Sequence, residues 1–377
     1  MNSVKEVSTD DCYGCSACFS ACKNKAISMQ MSDKGFFVPQ ISDTCIDCGM
    51  CVKCCPALQS LEKNTIMKCW AIKNMDDTVR ENSSSGGAFS AIATDILNRN
   101  GVIYGAAFRE KRIVHLRTEG NDYSILRKSK YVQSELGTTF SNVIHDLQSD
   151  KTVMFTGTPC QCAGLRALLS NKNIDTCKLL LVDFICHGTL SPMIFSDYIK
   201  YFEKKTDKIV ANFDFRDKSR GWHRHIGRSD LSDGTYDNTS FESQLFISLF
   251  YSNYSFKESC YHCRFTTPDR CSDITLADFW GIEKRLPDID DDKGISFIMA
   301  CTEKGIDVIH SLSNVQRIEV PFEWESQAHL HHPISRPADN DMFWKIYYQN
   351  GFKKIAAVYL KAGKIRRFAS KLLRKIK

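Results

Sequence analysis

The sequence predicts an α+β to α/β protein of two domains: a small cysteine-rich domain, then a larger mixed α/β domain whose sheet is partly parallel. Three observations predict it. Cysteines recur as C-x2-C-x2-C-x3-C at Cys12, Cys15, Cys18 and Cys22 and again, offset by 33, at Cys45, Cys48, Cys51 and Cys55. The apolar runs KTVMFTG and KLLLVDFIC flank a helical AGLRALLS, a β-α-β unit that joins parallel strands. A chain of 377 residues is also too long for the cysteine ladder alone.

Residues 1–62 hold the ladder. Its spacing wraps two 4Fe-4S clusters, with the fourth cysteine of each run ligating the other cluster. The first would take Cys12, Cys15, Cys18 and Cys55, the second Cys45, Cys48, Cys51 and Cys22. Paired zinc sites would also use C-x2-C, but they need neither a third step nor a crossed ligand. Lys23 stands where a proline would normally follow the fourth cysteine, whereas Pro56 is in place in the second run. Between the runs, Asp33-Lys34-Gly35 marks a hairpin turn. Cys54 is surplus to the ladder, and Cys69 in CWAIKN reads as a core cysteine.

Residues 63–285 form the larger domain. Ser83-Ser84-Ser85-Gly86-Gly87 opens a helix, AFSAIATDILNRN, and such a turn presents free N–H groups to a phosphate. In the β-α-β unit, ligands bind beyond the carboxyl ends of the strands. Gly157-Thr158-Pro159-Cys160-Gln161-Cys162, expected as a loop, and Cys186-His187-Gly188 both fall there. For His187 alone, a hydrogen-bonded core histidine is the plainer alternative to a catalytic or ligand role. FDFRDKSRGWHRHIG sets Arg216, Lys218, Arg220, Trp222 and His223 together, either as a clamp on an anionic aromatic ligand or as a solvated edge strand. Cys260, Cys263 and Cys271 form a third cluster of ligands short of one member, which Cys160, Cys162 or Cys186 could supply. Zinc fits that spacing too.

Residues 286–377 are expected as a C-terminal extension ending in a basic amphipathic helix. The formal charge is +6, yet residues 352–377 alone carry ten Lys and Arg and no acid, which leaves the body at −4. The tail suits an anionic membrane surface or an acidic partner. With eighteen cysteines, no apolar leader from Met1 to Asp11 and no run long enough for a bilayer, a reducing cytoplasmic setting is expected.

Several motifs, GTPCQ-x-AGL, DFICHG, FRDK-x2-GW and C-x2-C followed by SDITLADFWG, occur in order behind the cysteine ladder and the SSGG helix start. Over Cys12 to Gly281 the chain resembles the coenzyme F420 hydrogenase/dehydrogenase beta-subunit family, with an N-terminal ferredoxin-like domain. The resemblance implies an FAD-dependent reductase in which clusters exchange single electrons with a flavin that exchanges a hydride with substrate. It places Ser85, Gly86, Gly87, Gly157, Thr158 and Gln161 at the flavin, and Cys260, Cys263 and Cys271 with a GTPC-loop cysteine on a further cluster. Family members act on the deazaflavin F420 or on chlorophyll derivatives, and bacterial relatives occur among polysaccharide-making genes, so the substrate stays open.

Among the candidate fourth ligands, Cys160 is favoured, because Pro159 aims the next residue outward. Cys162 is expected to turn into helix–sheet packing and Cys186 to be structural. The function expected is an iron–sulfur flavoprotein oxidoreductase with a redox partner protein and a small-molecule substrate. The alternatives are an electron-relay subunit docked on another enzyme and, from another class, a zinc protein binding nucleic acid through its basic tail.

Overall fold

The computed structural model describes residues 3–120 and 122–360. The expected hairpin forms as β1 (Ile27–Met31) and β2 (Phe37–Ile41), antiparallel with Met31 opposite Phe37. Short helices at Ala17–Ala21 and Met50–Lys53 carry the middle of each cysteine run.

The larger domain contributes β3 (Lys68–Asn74), β4 (Val102–Arg109), β5 (Arg112–Thr118), β6 (Val153–Thr156), β7 (Leu179–Phe184), β8 (Val210–Asp217), β9 (Ile226–Leu231), β10 (Tyr236–Asp237), β11 (Ile274–Asp278), β12 (Ser296–Ala300) and β13 (Val315–Glu319). Eight of these form one sheet in the order β13-β3-β12-β11-β7-β6-β4-β5. Its centre is parallel: β4 with β6, β6 with β7, and β7 with β11. The outer strands are antiparallel. Central strands are covered on both faces, which is why β6 and β7 read as unbroken apolar runs. A second sheet, β10-β9-β8, packs an aromatic core of Phe195, Phe213, Phe215 and Phe246.

Strands β12 and β13 come from beyond residue 285, and both pair with β3. The sheet therefore runs across the division expected at 285/286, because β3 would have no partner on either edge without them. The GTPC segment differs from its expectation as a loop. Thr158 caps the helix Pro159–Asn171, with proline at the first helical position, where its missing N–H costs nothing. The Gln161 side chain reaches back to accept from the Thr158 backbone N–H at 2.9 Å.

The small domain sits tightly on the large one. Gln133 accepts from the Phe37 N–H at 2.7 Å and donates to the Phe37 carbonyl at 3.2 Å. Ser259 donates to the Cys12 carbonyl at 3.1 Å, and Lys34 pairs with Glu258 at 3.0 Å. A glycine in the helix interior makes the closest approach. A Cβ on Gly164 would lie 2.7 Å from Cys15 Sγ, so only glycine lets that cysteine reach its place. Near the other end of the chain, Phe352, Ile355, Ala356 and Leu360 are buried in the aromatic core. The remainder of the basic helix expected there lies outside the described residues.

Candidate functional site

Beyond the carboxyl ends of β6, β7 and β11 opens a cavity of about 510 Å³, within the range of small-molecule and cofactor sites. The SSSGG turn walls one side of it and the GTPC and CHG segments another. Five cations line it (Arg127, Lys128, Lys130, Arg216 and Lys257) against two carboxylates, Asp183 and Asp278. Asp183 is fully buried and already engaged by Arg270 at 3.1 Å and Thr275 at 2.6 Å. The surplus is positive, which suits an anionic ligand.

Gly87, at φ +83°, caps the helix Ala88–Asn98 without a side-chain acceptor, so its first N–H groups are left for a ligand. Ser84 accepts from the Ser129 N–H at 2.8 Å, and Ser85 donates to the Ile295 carbonyl at 2.7 Å. Gly86, expected on the cofactor, turns instead to the sheet. A Cβ there would stand 2.2 Å from the Ile72 carbonyl and 2.5 Å from the Ser296 nitrogen. Its smallness is demanded by β3 and β12, so a larger residue at 86 would disturb the sheet before it met a phosphate. Gly157, Thr158 and Gln161 line the cavity, with Gln161 donating to Ser134 at 3.0 Å.

The sequence reading passed over the loop Arg127-Lys128-Ser129-Lys130, which faces the SSSGG turn across the cavity. Its one signal is a basic run between a strand and a helix. Lys128 pairs with the buried Asp214, and Lys130 donates to the carbonyls of Ile125 and Arg127. Burial pushes the Lys130 ammonium down to about 7. The FRDK-x2-GW segment is divided: Arg216 and Trp222 are buried and Lys218 is half-buried, whereas Arg220, and His223 just beyond, are exposed. Lys218 donates to the carbonyls of Ser85 at 3.0 Å and Lys293 at 2.6 Å, and also to that of Arg80, so it holds the SSSGG turn in place. Arg216 and Trp222 bind the two oxygens of Asp278, at 2.9 and 3.2 Å.

The cysteines fall into groups. Cys12, Cys15, Cys18 and Cys55 line one small cavity, the set expected for the first cluster. Cys22 and Cys51 share an apolar cluster, while Cys48 is exposed. Cys160, Cys186, Cys260 and Cys263 all line the large cavity. Burial and then Cys263 push the Cys160 thiol up to about 12, and burial with Cys260, Cys160 and Cys263 raises Cys186 further. Cys271, expected among these ligands, does not line the cavity but packs in one apolar cluster with Cys160 and Cys263. It precedes β11 at the strand's entering end, where Arg166 donates to its carbonyl at 3.3 Å. Cys162 is fully buried against the Gly157 and Val182 carbonyls, as expected for packing. Cys54 and Cys69 are buried core thiols.

Among the described residues, no three cysteine sulfurs lie within 4.8 Å of one another.

Two cavity features complete the picture. His187 Nε2 donates to Asn253 Oδ1 at 3.1 Å, and the ring lies edge-on to His329 at 4.0 Å. Burial lowers its pKa to about 4. Tyr13 lines both the small and the large cavity, edge-on to Phe265 at 5.1 Å.

Residues 150–322 match the family model for the C terminus of the coenzyme F420 hydrogenase/dehydrogenase beta subunit, and residues 11–60 match the 4Fe-4S dicluster domain. A solved structure of the F420-reducing NiFe hydrogenase complex from Methanosarcina barkeri, derivatised with xenon, is similar at 13% identity. The match covers 77% of this chain and 90% of that one, with a TM-score of 0.47. Among the described residues no helix is long and apolar enough to cross a membrane.

Proposed function

We propose, from a chain whose residues 11–60 belong to the 4Fe-4S dicluster family and whose residues 150–322 belong to the family of C-terminal regions of the coenzyme F420 hydrogenase/dehydrogenase beta subunit, that its clusters feed or drain an FAD in the large cavity. FAD, when bound, exchanges electrons singly with iron–sulfur clusters and in pairs, as hydride, with a small-molecule substrate. A third cluster is held by Cys160, Cys186, Cys260 and Cys263, with Cys186 in the place first given to Cys271.

One observation carries this proposal. The helix Pro159–Asn171 bears Cys160 in its first turn and Gly164 one turn later, against Cys15. Ligands of the first and third clusters are thereby joined across about 6 Å of helix. Lys257, 3% exposed, has both Cys12 and Cys260 among its charged neighbours. Burial lowers its pKa while Cys12 and Cys260 hold it up, so its ammonium and the thiolates of both clusters favour one another. Tyr13 and Phe265 fill the remaining space and keep water out. The cationic cavity wall and the N–H groups at Gly87 bind the anionic part of the cofactor, and Lys218 holds the turn that presents them.

The beta-subunit family supports a second proposal, a subunit that passes electrons to a partner enzyme in a reducing, cytoplasmic setting. The second cluster, with Cys48 exposed next to Ile46 at 68% exposure, is the natural entry for a redox partner. Anaerobically purified protein should contain about twelve irons and one FAD. Eight irons would remove the third cluster, and stoichiometric zinc without iron would overturn the whole assignment. Turnover of a substrate by the isolated chain would separate the enzyme from the relay.

A further inference from the structure

Three metal-ligating side chains converge outside the large cavity, each from a different segment. His223 stands in the connection between β8 and β9, Glu283 on the short helix Ile282–Arg285 after β11, and Asp290 just beyond the turn Pro287–Ile289. One ring nitrogen of His223 and one oxygen from each carboxylate all lie within 4.8 Å of one another. None of the three residues lines the large cavity. Backbone contacts fix two of them in place. Asp292 accepts from the Trp222 N–H through its carbonyl at 2.8 Å and from the His223 N–H through Oδ1 at 3.0 Å. Its own N–H donates to Asp290 Oδ1 at 3.1 Å, which leaves Oδ2 to face His223 Nε2 at 2.9 Å.

The charges around them are uneven. Asp291 is met by Lys73 at 2.9 Å and Arg80 at 2.5 Å, and Asp77 by Lys293 at 2.5 Å. Among the described residues no lysine or arginine pairs with Asp290 or Glu283, and His223 is the only ion-pair partner of Asp290. Two carboxylates this close repel, and a divalent cation between them turns the repulsion into attraction. The spacing of His223 and Asp290 already suits one, since bonds of about 2.1 Å at right angles set neighbouring ligand atoms about 3 Å apart. Calcium and magnesium take oxygen ligands, whereas an imidazole among carboxylates selects a first-row transition ion.

We propose that His223, Glu283 and Asp290 bind one divalent first-row transition ion, with water filling the remaining positions of its shell. His223 Nε2 gives its lone pair to the ion, and the imidazole then carries its hydrogen on Nδ1. The ion ties the connection between β8 and β9 to the segment that begins with Asp278 and Trp280, two residues of the cavity wall. The test is an anaerobic titration of the full-length, iron-loaded chain with Mn2+, read by the electron paramagnetic resonance of free aqueous Mn2+, which is lost on binding. Manganese favours oxygen ligands over the cluster thiolates, and iron is counted in every sample. Wild type should take up one Mn2+ saturably, and Ca2+ should compete at least about tenfold more weakly. Among the described residues the Glu283 side chain makes no hydrogen bond or ion pair, so Glu283→Gln leaves the fold alone. It should weaken Mn2+ by at least about tenfold, since losing even an outer partner of a metal ligand costs about 10–100-fold. His223→Gln should weaken it likewise and erase the preference over Ca2+, with iron unchanged. A wild-type chain that binds no Mn2+, equal competition by Ca2+, or unchanged binding in either variant would overturn the site. Loss of iron together with Mn2+ in Glu283→Gln would place the manganese at the cluster cysteines and overturn it equally.

Discussion

Gly164→Ala tests whether iron pins Cys15. In a helix interior, alanine is favoured over glycine by about 1 kcal/mol. Here the added Cβ would lie 2.7 Å from Cys15 Sγ, 3.1 Å from Cys15 Cβ and 3.4 Å from Ala17 Cβ. The first two are closer than packed atoms tolerate, and overpacking of this kind costs about 1–3 kcal/mol. Whether that cost is incurred depends on the sulfur. A free thiol can rotate away, which leaves the 3.1 Å approach to Cys15 Cβ to be relieved by a shift of a few tenths of an ångström against the helix's gain, so the apoprotein should stay within about 1 kcal/mol of wild type. A sulfur bound to iron cannot turn, so the loaded protein should be destabilised by up to about 2 kcal/mol, the difference between the two terms. It should also lose the first cluster in preference to the others. Anaerobic urea titration of apo and iron-loaded samples, with iron counted at each step, reads both effects. A loaded variant that keeps all its iron and is more stable than wild type would show that Cys15 is not a ligand held against Gly164.

Cys186→Ser should lower iron by about four atoms while Cys271→Ser leaves it unchanged, as read by iron analysis and electron paramagnetic resonance; the opposite pattern would restore Cys271 as ligand. Lys218→Met strips a donor from three backbone carbonyls and should cost at least about 3 kcal/mol at an ordinary 1–3 kcal/mol per stranded group, with FAD lost before iron; retained FAD would separate the SSSGG turn from the cofactor. His115, buried and stacked on Phe155 at 5.5 Å with its Nε2 donating to the Thr156 carbonyl at 3.0 Å, is held down to about 4 by burial. The unfolded chain, whose histidine titrates near the ordinary 6.5, binds the extra proton first. This group therefore costs nothing above pH 7, and its penalty grows as pH falls through 6.5 and levels off below 4. Between pH 7 and 5 it should amount to about 2 kcal/mol. His115→Gln should remove that share of the slope in paired urea titrations, and an unchanged slope would place the titration elsewhere.

The amino-acid sequence by itself determined what is local and periodic. The cysteine ladder grouped Cys12, Cys15, Cys18 and Cys55, which line one small cavity: the first three converge through the backbone of one short turn, and the repeat points to the fourth from the other run. The parallel centre of the sheet was likewise legible in two unbroken apolar runs around a helix, since only strands covered on both faces read that way. The tertiary structure decided what depends on contacts between distant segments. Cys186 and Cys271 are both cysteines at strand ends, and spacing cannot tell which of them opens on the cavity. The parallel pairing of β11 beside β7 places Cys186 at the carboxyl end that lines it and Cys271 at the entering end. Gly86 looked like a phosphate contact because glycine permits close approach, but what approaches is the backbone of β3 and β12, the latter some 210 residues away in the chain. The same holds for Gly164, an ordinary glycine in a helix until the small domain brings Cys15 against it. A side chain's absence is written in the sequence, whereas the neighbour that requires it is chosen only when the sheet and the two domains close together.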